Sequence, residues 1–162
     1  MDEFDRKILD QLQRDARMPV AQLGEMVGLS ASAAHRRVKL LEEAGVIRRY
    51  AAVLDAEALG LRVELFVTVT LTSQTNSVLE AFETAVRRVP EVVECHLLAG
   101  RSDYLMRIVI SDMAEYEALH RSRLTLLPGV AKMETTFNLR TVTPYRGLPI
   151  GTIRREPAYP ES

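Results

Sequence analysis

The sequence is poor in several features, and each absence narrows what the chain can be. It has a single cysteine, Cys95, so an internal disulfide cannot form, as expected for a cytoplasmic protein in a reducing compartment. No apolar run reaches the roughly 20 residues that a membrane helix needs, and no secretory leader pattern is present, so no membrane partner is expected. An excess of one charge is also missing. Lys and Arg number 21 against 22 Asp and Glu, a net charge of -1, so the chain as a whole is not a polycation drawn to nucleic acid. There is no Ser/His/Asp order, no phosphate-cradling glycine loop and no pair of catalytic carboxylates. Cys95 and His96 are adjacent in an expected strand and point to opposite faces, so they cannot hold one metal together. These gaps argue against an enzyme and against any metal or cofactor.

What is present begins with residues 20–45, VAQLGEMVGLSASAAHRRVKLLEEAG. Val20, Leu23 and Val27 recur at helical period, as do Ala34, Val38 and Leu41. Between the two sets, Gly28 suits a left-handed helix end, Leu29 is an apolar plug, and Ser30 is a good N-cap for the next helix. Gly24 has no side chain to hold that helix away. The pattern is a helix-turn-helix. At about 100° per residue, Ala34, Val38 and Leu41 share the inner face of the second helix. Ser32, Arg36 and Lys39 share the outer one, and His35 and Arg37 lie on the flanks. A helix set into the major groove of double-stranded DNA needs short polar groups and long donors of this kind. Ser32 and Arg36 suit base reading, with His35 beside them; Ser30, Lys39 and Arg37 suit the phosphate backbone. The flank position of Arg37 suits an ion pair within the domain equally well.

Phe4, Ile8, Leu9 and Leu12 predict a helix before this pair, with Asp2, Glu3 and Asp5 at its positive end. After the second helix, Gly45 is a C-cap, and residues 46–53 read as an extended wing carrying Arg48 and Arg49 toward phosphates. Residues 1–54 thus form an expected winged helix-turn-helix domain, followed by a hinge over 55–62. Arg36, Arg37, Lys39, Arg48 and Arg49 cluster locally, answered by Glu42 and Glu43. One such domain offers few phosphate contacts, so binding should depend on dimerisation.

Residues 63–142 have a different grammar. Val63, Leu65, Val67, Val69 and Leu71 alternate with Glu64, Phe66, Thr68, Thr70 and Thr72, a period of two. Val78, Leu79, Phe82, Val86 and Val89 follow helical spacing. Two strands joined by the turn at residues 100–103 come next, then a helix on Met113, Tyr116 and Leu119, and a last strand from Val130. The order is βαββαβ. Both helices exit through an apolar residue and a proline into a strand, Val89-Pro90-Glu91-Val92 and Leu127-Pro128-Gly129-Val130. Two βαβ halves side by side are the ferredoxin-like arrangement, with helices on one face of an antiparallel sheet. The other face, with Phe66, then calls for a partner subunit. Met106, Met113 and Met133 fit as core filler. The fold class is therefore α+β. The tail, residues 143–162, carries Pro144, Pro149, Pro157 and Pro160 and reads as an extended arm.

A helix-turn-helix followed by a βαββαβ domain resembles the Lrp/AsnC (feast/famine) family of transcriptional regulators. Strings that carry the resemblance are Asp5-Arg6-Lys7-Ile8-Leu9, Gly28-Leu29-Ser30, Arg36-Arg37-Val38, Leu41-Glu42-Glu43-Ala44-Gly45-Val46-Ile47 and Gly100-Arg101-Ser102-Asp103-Tyr104-Leu105. The resemblance implies homodimers that assemble further, to octamers, and a response to an amino acid or related metabolite. It also implies an effector pocket rimmed by the loop between the second and third strands. Here that loop is Gly100, Arg101, Ser102, Asp103 and Tyr104, where Asp103 suits an ammonium and Arg101 a carboxylate. Thr135 and Thr136 on the last strand are expected as hydroxyl contacts. The competing reading is a metabolite-binding module whose helix-turn-helix mediates protein contacts.

Overall fold

The computed structural model describes residues 1–150, so the part of the expected arm from 151 on lies outside the described residues. The chain divides into two compact units. One is Met1–Val53 together with the chain from Val142 onward; the other is Leu54–Thr141.

In the first unit, α1 (Glu3–Arg14) starts at a reciprocal cap. Asp2 Oδ1 accepts from the Asp5 amide at 3.0 Å, and Asp5 Oδ2 accepts from the Asp2 amide at 2.8 Å, so two otherwise orphaned donors are satisfied. Helix α2 (Val20–Val27) ends at Gly28 in the left-handed region, φ 76°. Helix α3 (Ala31–Glu43) starts at Ser30, whose Oγ accepts from the Ala33 amide at 3.2 Å. Ile8, Leu23, Val27 and Leu41 form the core, with Leu9, Leu12, Met18, Leu29, Val38 and Ile47 packed around it. Gly24 is a steric requirement: a Cβ there would stand 2.8 Å from the Leu29 carbonyl oxygen and 3.2 Å from the Ala31 nitrogen. The expected wing is corrected. Residues 46–53 form no strand, because a strand needs a hydrogen-bonded neighbour and no described residue of this unit lies in one. The segment is held to α3 instead, by the Ile47 amide on Leu41 O at 3.1 Å and the Tyr50 hydroxyl on Glu42 Oε1 at 2.8 Å.

The second unit contains β1 (Val63–Leu71), α4 (Asn76–Val86), β2 (Val92–Leu97), β3 (Tyr104–Ile110), α5 (Met113–Ser122), a 3-10 turn (Leu124–Leu126) and β4 (Val130–Phe137). The sheet order is β2-β3-β1-β4 with every pair antiparallel, the ferredoxin-like order. The inward residues Leu65, Val67, Val69 and Leu71 of β1 meet Met106, Ile108 and Ile110 of β3, and Phe82, Val86, Leu119, Leu124 and Leu127 cover them. Met106 and Met133 join this core, whereas Met113 is exposed. The opposite face carries Glu64, Phe66, Thr68 and Thr70 of β1. In register, Arg107 lies beside Phe66 on one side and Thr136 on the other, while Glu134 lies beside Thr68 and Lys132 beside Thr70.

Candidate DNA interface and effector site

Helix α3 presents Ser32, His35, Arg36 and Lys39 outward, at spacings that place them on one face. Arg36 takes part in no ion pair among the described residues, and Lys39 is only loosely matched, 3.6 Å from Glu43. The long donors of this face are therefore available to a polyanion. Ser30 Oγ caps the helix and lies 3.1 Å from Ser32 Oγ. As a cap the Ser30 oxygen acts as acceptor, and either hydroxyl can donate in the Ser30–Ser32 pair. Arg48 and Arg49 are exposed on the segment pinned beside α3 by Tyr50. Burial, and then the hydrogen bond to Glu42, pushes the Tyr50 hydroxyl up to about 12, so it stays a donor at any physiological pH.

Arg37 makes the ion pair within the domain that its flank position suits. Its Nη1 lies 2.7 Å from Asp5 Oδ1 and 2.8 Å from Asp2 Oδ2, and its guanidinium sits over the Phe4 ring at 5.4 Å. The hydrogen bond to Asp5 and then the neighbouring Asp2 hold this guanidinium still more firmly protonated than usual. Arg37 thus ties α3 to the first turn of α1 through Nη1.

In the second unit, the turn between β2 and β3 separates into outward and inward parts. Arg101 and Ser102 border an open cavity of about 410 Å³ on the uncovered sheet face, whose other walls are Thr68, Thr70, Lys132 and Glu134. Lys132 Nζ lies 2.5 Å from Glu134 Oε1. This hydrogen bond, with help from the charge of Arg101, holds the Glu134 carboxyl below its ordinary 4.5. Two cations, one carboxylate and three hydroxyls around one small cavity match a zwitterion with both ends charged. Gly100 borders open space.

Asp103, Tyr104 and Thr135, expected as effector contacts, are engaged in hydrogen bonds within the unit. Asp103 is buried, with Oδ2 accepting from the Leu71 amide at 2.7 Å and Oδ1 from Gln74 Nε2 at 2.6 Å. Both oxygens are thus committed to closing the end of β1, and no ammonium can reach them. Tyr104 is also buried, stacked on Phe82 at 4.5 Å, with its hydroxyl donating to Glu83 at 3.0 Å. Thr135 pairs with inward-facing Val67 and shares a 2.6 Å hydrogen bond with Tyr116, so it lies on the helix side. Thr136 is exposed on the open face, beside Phe66. Thr68, Thr70, Lys132 and Glu134 were missed from the sequence. The alternation of β1 does place both threonines on the face opposite the core; the pairing with β4 that brings in Lys132 and Glu134 is tertiary.

Cys95 lines a separate cavity of about 440 Å³ between α4 and β2, where burial pushes its thiol up to about 11. Among the described residues, no group of three or more His, Cys, Asp or Glu is placed to hold a metal, and no helix is long and apolar enough to cross a membrane.

Comparison with known proteins matches both units to one family. Residues 1–42 match the model of the AsnC-type helix-turn-helix domain, and residues 64–148 match that of the Lrp/AsnC ligand binding domain. The chain is 39% identical over 142 residues to the Bkd operon transcriptional regulator of Pseudomonas aeruginosa, covering 88% of this chain and 93% of that one. It is 38% identical over 152 residues to the leucine-responsive regulatory protein of Escherichia coli, covering 94% and 93%. Among solved structures, a transcriptional regulator from Neisseria meningitidis in complex with L-Met superposes with a TM-score of 0.88 at 34% identity, covering 93% of this chain and 97% of that one. An AsnC family regulator from Agrobacterium tumefaciens gives 0.88 at 35% identity, covering 94% and 99%.

Proposed function

The chain belongs to the Lrp/AsnC family of transcriptional regulators, and from that premise we propose how its two sites divide the work. Helix α3 enters the major groove with Arg36 and Ser32 at base edges and His35 beside them. Ser30, Lys39 and Arg48 contact phosphates, with Arg49 at the edge of the same surface. The observation that carries this assignment is the contrast between adjacent arginines. Arg37 is bound to Asp2 and Asp5, while Arg36 stands exposed with no ion pair among the described residues. One unit offers few cations, so two copies are needed for useful affinity. The uncovered sheet face is the surface that supports a homodimer, and further assembly to an octamer follows the family expectation.

The effector is an amino acid held at the turn between β2 and β3. Lys132 and Arg101 pair with its carboxylate, Glu134 takes its ammonium, and Thr68, Thr70 and Ser102 complete the polar wall. The names of the relatives point to the same class, since one is leucine-responsive and another holds L-Met. Binding there alters assembly or DNA affinity, a coupling between two sites.

The test is fluorescence anisotropy on the promoter DNA of the chain's own gene across a salt series, with and without each amino acid. Specific binding that weakens with salt, and shifts with at least one amino acid, is expected. DNA binding that ignores salt would overturn the interface, and a flat response to every amino acid would overturn the effector class.

A further inference from the structure

The chain crosses between the two units twice, once between Val53 and Leu54 and again between Thr141 and Val142. The second crossing is anchored at both ends. At its root, just after β4, the Asn138 amide donates to Glu64 O at 2.9 Å, and the Asn138 side chain donates to the Glu64 carboxylate. At its tip, Gln13 on α1 holds both backbone groups of one residue: Nε2 donates to Leu148 O at 3.2 Å, and Oε1 accepts from the Leu148 amide at 2.6 Å. A primary amide has this donor and acceptor side by side, so Gln13 engages residue 148 much as a neighbouring strand would.

The local backbone is shaped for that clasp. Gly147 has φ +90°, a region closed to most side chains, and a Cβ there would stand 2.9 Å from Gln13 Cδ and Oε1. Ile150 folds back to donate to Leu148 O at 2.8 Å and is buried. Between root and tip, Val142 and Tyr145 are exposed. The middle of the segment is therefore exposed, while its tip is held by Gln13 and carries the buried Ile150.

We propose that residues 142–150 are a strap, docked on the DNA-binding unit at Gln13, that relays the state of the effector site to α1 and α3. The inference rests on the effector site proposed above. Strand β4 supplies Lys132 and Glu134 to that site, and the same strand runs into Asn138 and the strap. A unit held by one crossing can reorient about it, whereas a second crossing closed at Gln13 removes much of that freedom. Gln13 is thus a positioning residue, acting on DNA binding only through the strap.

The experiment uses the full chain with Gln13→Ala and Gln13→Glu. Trypsin cleavage after Arg146, beside Gly147, reads the clasp. It is expected to speed up at least tenfold in Gln13→Ala and less in Gln13→Glu, which keeps the acceptor for the Leu148 amide and loses the donor. DNA affinity without effector should stay within threefold of wild type. The change in affinity produced by the amino acid that acts on wild type should shrink to less than half. Equal cleavage rates in wild type and Gln13→Ala would overturn the clasp, and faster cleavage with an unchanged effector response would overturn the relay. A wild type that responds to no amino acid fails the effector reading and takes the relay with it, while the cleavage rates still decide the clasp.

Discussion

Arg37 Nη1 donates to Asp5 Oδ1 across 2.7 Å, joining the recognition helix to the first turn of α1. The neighbouring Arg36, one step of about 100° further round α3, points to solvent instead. The two arginines therefore predict opposite phenotypes. Arg37→Ala should lower the stability of the first unit by about 1 kcal/mol, a charge-assisted hydrogen bond discounted for its partial exposure. Calorimetry reads the loss, and the salt dependence of DNA binding should keep its slope. Arg36→Ala should leave the melting temperature unchanged, weaken specific binding by about 1–3 kcal/mol and flatten the slope of log affinity against log salt by about one. The reverse pattern in either variant would exchange their roles.

The same cluster sets an acid limit. The Asp5 amide, and then Arg37, hold the Asp2 carboxyl below its ordinary 3.8. A carboxylate with a depressed folded pKa contributes stability above the unfolded value and loses it as pH falls through the folded one. Melting of the first unit should therefore not respond to Asp2 between about pH 7 and pH 5, and should soften below about pH 4. Asp2→Asn should weaken that acid dependence; an unchanged acid profile would count against it.

Asp103 predicts a structural phenotype where the turn pattern suggested a ligand contact. Asp103→Ala leaves the Leu71 amide and Gln74 without their acceptor in a buried place, a cost of about 2–3 kcal/mol. Asp103→Asn should recover most of it. One amide oxygen can still accept from Leu71, and a flipped Gln74 can accept from the new NH2. Denaturant midpoints for the two variants test this, and equal losses would show that charge rather than hydrogen bonding matters there.

At the cavity on the open face, Glu134→Gln and Arg101→Ala should each weaken effector binding about tenfold or more, the scale of a charge-assisted hydrogen bond. Because Lys132 holds the Glu134 carboxyl below its ordinary 4.5, affinity should be level from neutral pH to about pH 5 and fall only on further acidification. Isothermal titration calorimetry across that range checks both statements. A decline already at pH 6 would point to a different titrating group.

Gly24→Ala should unfold the turn. Its Cβ would press on the backbone carbonyl of Leu29, which has no soft side chain to move aside, at a cost of about 1–3 kcal/mol. Loss of DNA binding with an intact second unit is the expected outcome, read by circular dichroism and by effector binding retained at the same time.

Local signals made much of this molecule legible. The helix-turn-helix announced itself through Gly24, Gly28 and Ser30, because caps and close approaches demand particular residues. The sheet showed through the alternation of β1, because one face is dry. What stayed hidden was decided over distance. Nothing near Asp103 says whether a carboxylate in a hairpin faces water or the end of another strand; its partners Leu71 and Gln74 lie about thirty residues back. Arg37 took its role from acids at the other end of the domain. The wing failed because extended residues become a strand only beside another one. The pairing of Gln13 with Leu148 spans 135 positions, beyond any periodicity.

The half-buried position of Cys95 has a practical consequence. With its thiol pushed up to about 11, only on the order of one molecule in ten thousand carries the reactive thiolate at neutral pH. The first unit contributes no sulfhydryl at all. Alkylation of the folded protein should therefore be slow, and its rate in rising denaturant becomes a built-in clock for the opening of the sheet unit alone. The opening of the sheet half can thus be timed apart from that of the DNA-binding half, with the chain's own cysteine as the probe.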